Sequence, residues 1–157
     1  MDPYLLAKWL HVLAACLYVG ASFANGLLKT LADRAPSAEA SAALLSGVVW
    51  NNRLLLVPPS FVLLATGLWM AWVGGLPLAS GWLAHGIALF ALLSLLLAWG
   101  MRLEHRLAAL ASGATTRHEP LPSAYRRLSP LYAGLGIAAT VALLAALFTM
   151  VTKRPLF

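Results

Sequence analysis

The sequence predicts an all-α integral membrane protein, a single domain over residues 1–157 folded as an up-down bundle of four transmembrane helices. Three observations carry this expectation. The 157 residues are 61% hydrophobic and 10% charged, against about 45–50% apolar and about 25% charged in soluble domains. Four windows, at about 4–28, 54–73, 81–101 and 131–151, meet the roughly 20 mostly apolar residues that a helix needs to cross the hydrocarbon core. Finally, the Lys and Arg residues gather at the ends of these windows, where they read as topology signals rather than as a basic face.

The first window contains KWLHVLAACLYVGASFANGLLK, apolar throughout except for a few polar residues. Between it and the second, the Ala- and Ser-rich stretch 29–53 offers Ser37 as the cap of a short surface helix that merges into the second span. Pro58 and Pro59 are expected to kink or delay that span and to free backbone carbonyls. Arg53, Ser60, Gly67 and Gly74 recur in it every seven residues, a seam of small residues topped by a basic group. GGLPLASG then makes a tight, uncharged turn into the third span. The stretch 102–130 is a long, charged, Pro-broken connection whose first part extends the third helix beyond the membrane. In the fourth span Gly134, Ala138, Ala142 and Ala146 form a small-residue ridge for close helix approach, within the chain or in a homodimer.

Counting charges gives an orientation. Lys29, Arg34, Arg53, Arg102, Arg106, Arg117, Arg126 and Arg127, eight of the eleven Lys and Arg, lie in the two long connections. Lys8, Lys153 and Arg154 lie on the other side. The positive-inside rule therefore places both termini outward, in the periplasm if the membrane is the inner membrane of a Gram-negative bacterium. The net charge of +6 suits anionic lipid and not nucleic acid. Cys16 is the single cysteine, so no disulfide forms within the chain, and the absence of a CxxCH excludes covalent haem attachment. LAAC at 13–16 resembles a lipoprotein cleavage box, but the interrupted apolar stretch before it argues for an ordinary helix residue.

On a helical projection Tyr4, His11, Tyr18, Ser22, Asn25 and Lys29 fall on one stripe of the first span. Polar groups in lipid are costly, so the stripe is expected to face the bundle or a wet crevice. His85 opens the third span at a depth within roughly 5 Å of His11, because the first and third helices run in the same direction at 1.5 Å per residue. Two imidazoles across a bundle form the ligand set of b-type haem, with Ala14, Ala15, Gly86 and Ala88 leaving room for a flat macrocycle. Interhelical hydrogen bonding is the plain alternative for these polar residues. Arg53 and Arg102 are weaker candidates to hold haem propionates, a quinone or a lipid headgroup. Copper bound by His11 and His85 is a further alternative. His105 and His118 read as solvated loop residues. The chain has five acidic residues, none inside a predicted span and none in an HExxH or paired-carboxylate pattern, so neither hydrolysis nor a buried-carboxylate path is expected.

KWLHVL, RLLLVPPSFVLLATGLWM, LPLASGWLAHGIALF, LPSAYRRLSPLYAGLG and the closing MVTKRP resemble the bacterial membrane family called domain of unknown function 2269, over nearly the whole chain. That resemblance implies four transmembrane helices in the bacterial inner membrane and no particular activity. More distantly, the early histidine is similar to that of the J-type protoporphyrinogen oxidases and the membrane domain of copper-resistance D proteins. The likeness to the oxidases implies haem at His11. GWLAHG carries His85 and no lysine where those oxidases have one, which argues against porphyrinogen oxidation. Three readings follow: a haem b protein passing electrons to or from quinol or a partner enzyme, an accessory or assembly subunit of a larger membrane complex, and a copper-handling protein.

Overall fold

A computed structural model of the chain describes residues 2–79 and 81–154. Among them the regular elements are all helical. Helix α1 spans Pro3–Asp33, with Pro3 at its first turn and the Asp2 carboxylate accepting from the Tyr4 amide at 2.9 Å. Proline suits this position because its missing N–H has no intrahelical partner there. Helix α2, Ala38–Asn51, starts at the expected cap, where Ser37 Oγ accepts from the Ala40 amide at 3.1 Å. It runs through a π-helical segment, Asn52–Leu56, into α3, Val57–Val73. Helices α4, Gly81–Thr116, and α5, Ser123–Thr152, complete the bundle.

All four predicted spans are present, but they are parts of much longer helices. The stretch Ala38–Val73 and helix α4 have 36 residues each. At 1.5 Å per residue that is about 54 Å, nearly twice the roughly 30 Å hydrocarbon thickness. The excess lies at the end of the bundle opposite the termini, called the distal end below. Exposed Trp50 and Trp72 stand about 33 Å apart along Ala38–Val73, the spacing of two aromatic belts. Trp99 of α4 is also exposed and lies toward the distal end.

The distal extensions pack. Ala32, Leu45, Leu107, Ala111 and Tyr125 form a buried core separate from the membrane-level core of Tyr18, Ala21, Leu56, Leu93, Ala142 and Leu143. The expectation of a long connection over 102–130 is therefore corrected, since only 117–122 lie outside the helices. Leu103, Leu107, Ala111 and Ala114 are buried at helical spacing, and Arg102, His105 and Arg106 beside them are exposed on the wet face of a packed helix. Likewise only 34–37 separate α1 from α2. Helix α4 packs along α5 and α2, while α1 packs on α3, α2 and α5.

Candidate functional site: a polar layer at the distal end

Between the two cores lies a layer of polar side chains. The sequence reading counted Lys29 among the topology charges and also placed it on the inward stripe of the first span; it is 5% exposed. Its ammonium pairs with Asp33 one turn on and donates to Ser129 Oγ of α5 at 2.6 Å. Ser129 and the Tyr125 hydroxyl in turn donate to Asp33, at 2.8 Å and 2.9 Å. The rings of Tyr125 and Tyr132 stand 5.8 and 5.9 Å from the ammonium, within cation–π range. Thus a buried cation is held by a carboxylate, a hydroxyl and two aromatic faces. Its carboxylate partner, 34% exposed, reaches solvent.

The second half of the layer depends on the π-helical segment. Pro58 and Pro59 provide no N–H for the carbonyls a turn earlier, and their rings crowd that turn. The chain widens there, and the Val57 amide reaches back to the Asn52 carbonyl, five residues away. Two consecutive asparagines thereby both turn inward. Asn51 Nδ2 donates to the Ala21 carbonyl at 2.9 Å and to Asn25 Oδ1 at 2.7 Å. Asn25 Nδ2 donates to Asn52 Oδ1 at 2.8 Å, and Asn52 Nδ2 donates to Glu104 Oε2. The Tyr132 hydroxyl also donates to Glu104 Oε2, at 3.2 Å.

This directed chain of amides ends on a carboxylate that is 0% exposed. Its other oxygen, Oε1, has no hydrogen-bond partner. Such an atom is uncommon, because leaving a buried carboxylate oxygen unsatisfied is costly. Glu104 lies beyond the predicted third span, as read from the sequence, but it is buried all the same because α4 continues past that span. Glu104 was missed because it sits among Arg102, His105 and Arg106, which are exposed. A signal was present: Glu104 is seven residues before Ala111, on the buried stripe.

Glu104, Lys29, Asp33 and Asn52 line one end of a cavity of about 420 Å³, and Leu93, Leu96 and Val141 line the other. Tyr18, Ser22 and Asn25 line it too, so the predicted polar stripe of α1 faces the interior here. Ser22 Oγ is used locally, donating to the Tyr18 carbonyl at 2.8 Å. Glu104 is five residues beyond Trp99, about 7.5 Å further along α4, so the polar end lies at headgroup depth. The apolar end lies at hydrocarbon depth and opens beside Ile137 and Val141 of α5, which are exposed.

The two histidines do not line this cavity. His11 turns onto α3, with Nδ1 2.9 Å from Thr66 Oγ1. A Cβ at Gly67 would come within 3.2 Å of His11 Cε1, so the glycine gives the ring its place. His85 Nδ1 lies 2.9 Å from the Gly81 carbonyl of its own helix. The space read as left by Gly86 is taken by Met150 of α5, whose Cε would lie 2.3 Å from an added Cβ. Arg53 is exposed and stacks on Trp50 at 6.0 Å. Arg102 is exposed as well, and neither arginine reaches the cavity. Among the described residues no group of three or more His, Cys, Asp or Glu is placed to hold a metal ion.

Four helices long and apolar enough to cross a membrane, joined by short turns around a polar layer, define a multi-pass integral membrane protein. The model of the family described as predicted integral membrane protein (DUF2269) matches residues 5–154, and the chain belongs to that family. No curated protein and no solved structure matches it.

Proposed function

We propose that this protein binds an amphiphilic molecule of the membrane in the distal cavity, its polar head among Lys29, Asn25, Asn52 and Glu104. One observation carries the reading: a single cavity joins hydrogen-bonding groups at headgroup depth to leucines and a valine at hydrocarbon depth. A lipid or a quinone has that division of polarity, and the opening beside Ile137 and Val141 gives lateral entry from the bilayer. The charge count supports an inner-membrane orientation with the distal end in the cytoplasm, even with buried Lys29 set aside, which leaves seven basic residues against three.

Native mass spectrometry of the protein released from detergent tests this. A near-stoichiometric bound amphiphile is expected, displaced in Gly136→Leu. Gly136 lines the cavity and an added Cβ there meets nothing within 4 Å, so the larger side chain fills the cavity rather than clashing with the backbone. Wild type free of bound amphiphile would overturn the reading.

Haem b held by His11 and His85, in an electron-transfer protein, is the second reading. It is favoured by the Nδ1 atoms, each turned onto a protein oxygen, which is how metal-ligating histidines are commonly oriented. It requires Met150 to swing away from Gly86. A reduced-minus-oxidised spectrum of protein purified after haem supplementation decides it: a sharp α band lost in His11→Ala supports haem, and a featureless spectrum removes it.

A further inference from the structure

We infer that the head group bound in the cavity carries an ammonium with N–H donors, as in an aminoethyl phosphate lipid, and that Glu104 Oε1 is the atom that receives it. The inference rests on the amphiphile reading above and names the chemistry of the same site.

The argument starts from what Glu104 lacks. Its Oε2 already accepts from Asn52 Nδ2 and the Tyr132 hydroxyl. Its Oε1 is buried and accepts from nothing. The amides that could turn toward it are committed elsewhere, because the Asn51–Asn25–Asn52 chain runs in one direction. The ammonium of Lys29 is engaged by Asp33 and Ser129. Lys29 and Asp33 pair with each other, so neither supplies the donor that Oε1 lacks. A quinone ring or a phosphodiester alone presents acceptors, which would meet Oε1 with repulsion. A protonated amine presents the missing donor, and its charge favours the ionised carboxylate that receives it. The headgroup depth of Glu104 and the apolar cavity walls beyond it fit a lipid rather than a small soluble amine.

The test uses detergent-purified protein exchanged into nanodiscs holding equal amounts of phosphatidylethanolamine, phosphatidylcholine and phosphatidylglycerol with identical chains. Lipid retained on the protein is then identified by native mass spectrometry. Wild type should retain phosphatidylethanolamine over phosphatidylcholine by about ten-fold or more, since a hydrogen bond to a charged group is at stake and the trimethylated head has no N–H. Glu104→Gln keeps an oxygen for Asn52 and Tyr132 and turns the free acceptor into an amide donor, which cannot receive an ammonium. It should retain lipid but lose the preference. Glycerophosphoethanolamine, the same head without chains, should not compete.

Lipid bound without head preference, or a preference that survives Glu104→Gln, overturns the ammonium inference and leaves the amphiphile reading standing. Competition by the chainless head assigns the site to a soluble amine and overturns the lipid. Absence of any bound lipid from the wild type removes both readings.

Discussion

At the scale of single residues, the polar layer is a set of unequal partnerships, and the inequality is testable. Lys29 is buried while Asp33 reaches solvent, so the cost of breaking the pair depends on which member remains. Asp33→Asn leaves a buried ammonium without its counter-charge, held by an amide oxygen, one hydroxyl and two ring faces, and is expected to cost about 3 kcal/mol. Lys29→Met leaves a carboxylate that still accepts from Ser129 and Tyr125 and can hydrate, at about 1 kcal/mol. Thermal unfolding in detergent should therefore show the larger drop for Asp33→Asn, and the reverse order would mean that Lys29 is not buried. Glu104→Gln should unfold no earlier than the lipid-free wild type, because it keeps the oxygen that Asn52 and Tyr132 use and removes a buried carboxyl group. None of these partnerships was legible from composition. Lys29 and Glu104 look like span-flanking charges until the helices are seen to continue past the membrane. The stripe of α1 was legible, because helical periodicity alone puts Tyr18, Ser22, Asn25 and Lys29 on one face.

At the scale of elements, the irregular turn before α3 positions the layer. The two prolines were visible in the sequence, and a disturbed helix followed from them. That the disturbance would take π form and turn both Asn51 and Asn52 inward could not be read, because it depends on partners offered by α1 and α4. Amide hydrogen exchange should find residues 52–56 less protected than the middle of α3, and replacing Pro58 and Pro59 by alanine should restore protection there. Unchanged exchange in that variant would mean that the asparagine contacts, not the prolines, hold the widened turn. A second element-level device is the contact of Gly86 with Met150. Gly86→Ala is expected to cost about 1 kcal/mol, modest because a flexible thioether can move. Met150→Ala in the same chain should relieve part of that cost. Independent, additive effects in the double-mutant cycle would show that the two residues do not meet.

At the scale of the whole molecule, the chain is a membrane bundle that continues into a packed distal half, and that continuation sets the depth of the candidate site. The number, order and approximate position of the spans were legible because hydrophobicity over some 20 residues is a long and redundant signal. The distal half was not, because its stripe of leucines and alanines is short and interleaved with arginines. A window that averages hydropathy reads it as a polar connection. Orientation then decides which leaflet supplies the ligand, since a cavity with its polar end at the cytoplasmic headgroups takes its ligand from the inner leaflet. In a Cys16→Ser background, single cysteines at Leu78, in the turn between α3 and α4, and at His118, at the distal end, report the two sides. Both positions are exposed, so labelling depends on the side of the membrane and not on burial. A membrane-impermeant maleimide added to spheroplasts should label Leu78→Cys at once and His118→Cys only after lysis. The opposite pattern would place the distal end outside, and the ligand of the polar layer would then have to come from the outer leaflet of that membrane.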